Sequence, residues 1–156
     1  MRFPLTLLAF ILVLGLAACA DPAASVPPID ETQLRVQVTA SSTSYRPLDP
    51  AIARITNQSA VTVYENLCAG QIEGFGFVPG EWNGSYGTGR ACLAQGDPTS
   101  GPNYRPIGPG STVEDTLHIN GEAYAGLWRF QFDIRDGEGD VLPLEQRVSE
   151  PFEVLR

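Results

Sequence analysis

Lysine is absent: all ten basic residues are arginine, set against 18 acids, and the formal net charge is −8. A chain so acidic is repelled by phosphate backbones and anionic headgroups, so nucleic acid is not expected as a partner. Histidine is nearly absent too. The single one, His118, sits between Leu117 and Ile119 on an alternating stretch, which makes it the solvent-face residue of a strand rather than a general base. Neither Gly-x-Ser-x-Gly nor His-Glu-x-x-His occurs. Without a nucleophile and base in reach of one another, no catalytic residue is nominated and no enzyme is expected. Three cysteines with one distant histidine do not make a zinc site, and no metal or cofactor is expected. Beyond Leu16 no run of ten or more residues carries an apolar stripe of helical period, so helices are not expected either.

The longest apolar run lies at the start. Arg2 is followed by an almost purely apolar stretch over Leu5–Leu16, the layout of an exported protein's signal. It is too short for a membrane-spanning helix, which needs about 20 residues. The run ends Leu16-Ala17-Ala18-Cys19. This resembles the lipobox of bacterial lipoproteins, which implies cleavage after residue 18, acylation of Cys19 by palmitate-class chains and membrane attachment through the lipid. Two or more acyl chains anchor stably where one is marginal. Ala20 rather than an acid follows the cysteine, which favours the outer membrane over the inner within a bacterial envelope. With Cys19 consumed, Cys68 and Cys92 are left as a pair in an oxidising compartment, where a disulfide is expected. Closing that loop of about 25 residues is worth roughly 3–4 kcal/mol on a chain-entropy model.

Residues 19–32 hold the lipidated cysteine and a tether without periodicity, three of whose residues are proline. Fully extended at about 3.3 Å per residue, the tether reaches at most ~40 Å. Residues 33–156 then read as one domain, too short for two comfortable ones and expected to be monomeric. Apolar residues alternate over Leu34-Val36-Val38, Ala51-Ala53-Ile55, Val61-Val63 and Val113-Leu117-Ile119. The strongest alternation is Trp128-Phe130-Phe132-Ile134, with Arg129, Gln131 and Asp133 on the opposite, wet face. Val148, Phe152 and Val154 close the chain, and Pro151 suggests an edge strand. Asn57-Gln58-Ser59 and Asn83-Gly84-Ser85 read as turns rather than glycosylation sites. Residues 41–50, 81–90 and 96–110 read as loops. About seven short strands with turn signals between them point to an all-β, antiparallel sandwich.

The order Thr56-Asn57-Gln58-Ser59, Val61-Thr62-Val63-Tyr64, Cys68, Trp82, Pro109-Gly110-Ser111, Gly126-Leu127-Trp128-Arg129-Phe130 and Ser149-Glu150-Pro151-Phe152 resembles bacterial immunoglobulin-like domains over roughly residues 33–155. The resemblance implies an immunoglobulin-like sandwich and brings no catalytic residues. Trp128 stands where such domains often carry a tyrosine, which puts a tyrosine-corner hydrogen bond in doubt. A lipid-anchored, non-catalytic binding or accessory module follows from these readings. Its partner would be an envelope protein or a glycan. The alternative is a proteinase-inhibitor-like protein, because the intracellular inhibitors of bacilli share the asparagine turn and the Pro-Gly.

Two candidate sites remain. Trp82, Tyr86 and Tyr104 lie in glycine- and proline-rich stretches, where aromatics either contact a partner or cover an open end of the sandwich. Asp136-Gly137-Glu138-Gly139-Asp140 spaces acids as calcium loops do, but Arg147 stands twelve residues in, where an EF-hand closes on glutamate. It reads as a solvated turn.

Overall fold

The computed structural model describes residues 34–76, 80–87, 101–119, 123 and 125–156. The signal, Cys19, the tether and Cys92 lie outside the described residues. In chain order the strands are β1 (Val36–Ala40), β2 (Ser44–Tyr45), β3 (Pro50–Asn57), β4 (Val63–Asn66), β5 (Gln71–Phe75), β6 (Trp82–Gly87), β7 (Tyr104–Ile107), β8 (Thr112–His118), β9 (Gly126–Gln131), β10 (Ile134–Arg135) and β11 (Phe152–Val154). The helical element among the described residues is one 3-10 turn, Leu144–Gln146. No helix there is long and apolar enough to cross a membrane. The protein is all-β.

The described residues form three sheets, in the orders β1-β3-β8, β10-β4-β7 and β2-β11-β9-β5-β6. Their inner faces meet in one core. Ala51, Ala53, Ile55 and Leu117 come from the first sheet, Val63, Ile107 and Ile134 from the second, and Ile72, Trp128, Phe130, Phe152 and Val154 from the third. The alternation of the sequence explains this, since successive strand residues point to opposite faces. Trp128, Phe130, Phe132 and Ile134 are all fully buried. Phe130 lies 4.9 Å from the Phe152 ring, and Phe152 meets Tyr45 edge-on at 5.0 Å.

Several boundaries differ from the sequence reading, each for a reason in the backbone. The run Leu127–Ile134 is two strands. The backbone of Phe132 turns to bond Arg147, and the chain passes from β9, paired with β5, to β10, paired with β4. This split, with three strands formed in stretches read as loops, takes the strand segments among the described residues to eleven against about seven expected. Residues 82–87, read as part of a loop, form β6. Its pairing with β5 shifts register between Ile72 and Gly74, which a glycine-rich strand accommodates. Residues 104–107, also read as loop, pair with β4. The terminal strand β11 is not an edge. β2, drawn from the serine-rich stretch taken as a loop, runs parallel along it, with Glu153 opposite Ser44 and Val154 opposite Tyr45. Pro151 falls just before β11 and costs it no ladder bond.

Asn57 is the joint of the fold. Fully buried, its Nδ2 donates to the carbonyls of Val61 at 2.7 Å and Ile107 at 2.9 Å, while its Oδ1 accepts from Ser59 N at 2.9 Å. The Ser59 hydroxyl accepts from Arg35 N and donates to Arg35 O, and Gln58 N also bonds Arg35 O. Asn57-Gln58-Ser59 is therefore a turn, as expected, and it fastens β1, β3, β4 and β7 at one end.

Candidate functional site

The outer face of the five-stranded sheet was expected to be wet opposite Phe130, and around Glu73 it is only half so. Glu73 on β5 is only 8% exposed, although it points away from the core. Cross-strand register sets it opposite Arg129, whose guanidinium bonds its carboxylate at 3.0 Å from Nε and 2.9 Å from Nη2. Gln71 Nε2 donates to the same carboxylate at 2.9 Å. With its amide nitrogen turned inward, Gln131 donates to Glu73 Oε2 at 2.9 Å. The face is half-buried because these four polar side chains satisfy one another. Arg129 extends over Trp82 at 4.4 Å from the ring centroid, a cation–π contact that fixes the indole.

Beside this cluster runs an apolar row. Trp82 pairs with Phe75 across β6 and β5, their rings 5.1 Å apart. Gly74 stands opposite Trp128, so one step further along the register Phe75 stands opposite Leu127. On the far side Leu127 pairs with Glu153, and Leu155 follows two residues later, on the same face as Glu153. Phe75 is 39% exposed, Leu127 49% and Leu155 37%. Alternation dictates this: their chain neighbours Gly74, Trp128 and Val154 are buried. The row crosses the strands at one end of the sheet. Residues 148–149 pair with Gln131 and Val38 towards the other end, where β1 begins.

Sequence reasoning singled out Trp82, and the structure places it in this row. Tyr86 lies on the same strand, at the position paired with Ile72. Tyr104 does not join them. It is on β7, opposite Asn66, in a different sheet. Reasoning from the sequence passed over Leu127, Leu155, Glu73 and Arg129. The signal available was that Leu127 and Arg129 share the face opposite Trp128 and Phe130.

A second acid–arginine pair lies inside. Glu65 on β4 is fully buried and accepts from Arg105 Nε at 2.8 Å, and Arg105 Nη1 reaches the carbonyl of Glu114 at 3.0 Å. This one side chain therefore ties β7 to β8. Asp115 faces the core, while its neighbour Glu114 is exposed and paired with Arg54, so the two carboxylates point to opposite faces as expected. His118 is exposed on β8.

The 136–140 stretch is a closed turn. Asp136 Oδ1 accepts from Glu138 N and Asp140 N, and Asp136 N bonds Asp140 O. Arg135, held by Asp133, donates to Gly139 O at 3.0 Å, so a guanidinium already sits among these oxygens. The hydrogen bond that Arg135 donates to the Asp133 carboxylate holds the Arg135 pKa above its ordinary value. Among the described residues no group of three or more His, Cys, Asp or Glu is placed to hold a metal ion. Cys68 is disulfide-bonded. Because Cys92 lies outside the described residues, the pairing with Cys92 stays an expectation of the sequence.

No family model matches the chain, and no curated protein does. Among solved structures it is similar to the DNA-bound alkylpurine DNA glycosylase AlkC of Pseudomonas fluorescens, at 11% identity and a TM-score of 0.46, over 80% of this chain and 31% of that one. It is similar to the sporulation control protein Spo0M of Bacillus subtilis at 9% identity and a TM-score of 0.41, over 79% and 49%. The PapD-like domain 7 of human CEP192 is 10% identical with a TM-score of 0.31, over 92% and 94%. The chain thus spans about a third of the first of these proteins and half of the second. Likeness at these scores carries no argument about activity or partner.

Proposed function

We propose that the chain is a bacterial envelope lipoprotein, acylated at Cys19, whose immunoglobulin-like β-sandwich is a non-catalytic module for binding a protein partner. The observation that carries the binding role is the row Trp82, Phe75, Leu127 and Leu155. It leaves apolar surface in water on a sheet face whose neighbouring polar groups are tied to one another, and contiguous exposed apolar surface marks interaction sites. Arg129 already covers one face of the indole, and leucines make up half the row. Both features favour a protein over a glycan, since a sugar ring stacks on open aromatic faces. The Leu16-Ala17-Ala18-Cys19 ending supports the anchor, and Ala20 after it supports the outer-membrane location.

A photo-crosslinking side chain placed at Leu127 in growing cells should trap a discrete protein. The same group at Thr116, exposed on the first sheet, should trap none. Equal yields from both positions would refute the assignment of the face.

A further inference from the structure

We infer that the occupant of this face is an amphipathic helix with basic flanks, lying across the strands. The inference rests on the docking role just proposed and names the partner's chemistry.

Direction is the first argument. The row runs perpendicular to the strands, from Trp82 on β6 through Phe75 on β5 to Leu127 on β9, in line with Glu153 on β11, while Leu155 lies two residues further along the last strand. An added strand would use a sheet edge and lie parallel to the strands. A segment lying along this row crosses them instead, touches side chains only, and must satisfy its own backbone, which a helix does. Spacing is the second argument. Neighbouring strands are about 4.8 Å apart, close to the rise of about 5.4 Å per helical turn, so apolar residues at i, i+3/i+4 and i+7 meet Trp82, Phe75 and Leu127 in turn, and a basic residue one turn further meets Glu153.

Charge supplies the flanks. Glu81, next to Trp82, and Glu153, opposite Leu127, are both exposed and border the row. Arg129 does not offset them because Glu73 takes its charge. Arg46 and Arg156 are the cations beside Leu155, off the line of Trp82, Phe75 and Leu127, against a chain whose formal charge is −8. Pre-organisation completes the case. Arg129, held by Glu73, fixes the Trp82 indole before any partner arrives, so less side-chain freedom is lost on docking.

The test uses the mature chain carrying Cys19→Ser and three helical peptides as probes. One has a leucine stripe with lysine flanks, one has the same stripe with glutamate flanks, and one is a lysine peptide of the first composition with the stripe scrambled. Trp82 and Trp128 are the two tryptophans. Because Trp128 is fully buried, a change in fluorescence on titration reports Trp82, with Trp82→Phe as the control. The lysine-flanked stripe should bind best. Leu127→Glu should weaken it by about tenfold or more, the scale of losing one buried anchor, although it makes the protein more acidic. Circular dichroism confirms that the variant is folded, and Leu127→Ala, which adds no charge, should weaken binding in the same direction. Equal binding of the scrambled peptide, preference for the glutamate flanks, or indifference to both Leu127 variants would overturn the inference. If crosslinking from position 127 traps a protein while the striped peptide fails to bind, the helical partner is refuted and the docking face stands.

Discussion

Replacing Asn57 with alanine tests the account of what joins the sheets. The substitution removes three hydrogen bonds, from Nδ2 to the carbonyls of Val61 and Ile107 and from Ser59 N to Oδ1. A typical bond contributes about 0.5–1.5 kcal/mol net, and a buried group left unsatisfied costs about 1–3 kcal/mol. Asn57, Ser59 and Ile107 are buried, so water cannot freely replace the amide, and a loss of about 3–5 kcal/mol is expected. That is a large part of the roughly 5–15 kcal/mol a domain possesses. Asn57→Asp is the sharper probe. It keeps an acceptor for Ser59 N but aims a carboxylate at two carbonyl oxygens, so at neutral pH it should be at least as damaging as alanine. Ser59→Ala, which removes only the two bonds to Arg35, should cost about 1–2 kcal/mol. Urea midpoints at equal m-value measure all three. A loss below about 1 kcal/mol for Asn57→Ala, or a native-like Asn57→Asp, would refute the joint.

Arg105→Ala removes the guanidinium bonded to the fully buried Glu65 carboxylate and should cost about 3–5 kcal/mol. Replacing both partners with apolar residues of similar volume should recover most of it, and a double-mutant cycle in urea shows whether it does. Leu48, 74% exposed at φ 72°, takes the glycine position of a turn closed by Asp49 N to Arg46 O. Leu48→Gly should therefore raise the melting temperature, by about 0.5–1 kcal/mol of relieved strain. Cys68 should be recovered bonded to Cys92 by non-reducing mass mapping, and Cys92→Ser should lower stability by roughly 3–4 kcal/mol. Cys19→Ser should move the protein to the soluble fraction and abolish labelling by a clickable palmitate.

The inward face of this fold was legible from period alone. Trp128, Phe130, Phe132 and Ile134 alternate, and all four are buried. What escaped was whatever depends on a partner distant in sequence. Tyr104-Arg105-Pro106-Ile107 does not read as a strand, because its proline and short length hide it until β4 supplies the register. The two residues of β2 are a strand only because β11 lies beside them. Glu73 and Arg129 look like ordinary surface charges until cross-strand pairing sets them face to face. The candidate site escaped for the same reason. Trp82, Phe75, Leu127 and Leu155 are spread over 81 positions of the sequence, and only the order β11-β9-β5-β6 brings them together.

The knot around Arg35 has a mechanical meaning. β1 leaves it antiparallel to β3, with five residue pairs from Val36–Asn57 to Ala40–Ala53. The apolar row lies at the opposite end of the molecule. Tension between the lipid anchor proposed at Cys19 and a partner held on that row would run along the strand axes. Such a pull shears all five pairs at once instead of peeling them singly, and it meets the bonds of Gln58 and Ser59 to Arg35 first. Stretched in a single-molecule experiment between residue 34 and position 127, the domain should yield at a higher force than when β1 is peeled sideways from β3. Ser59→Ala should lower the first of these forces and barely touch the second.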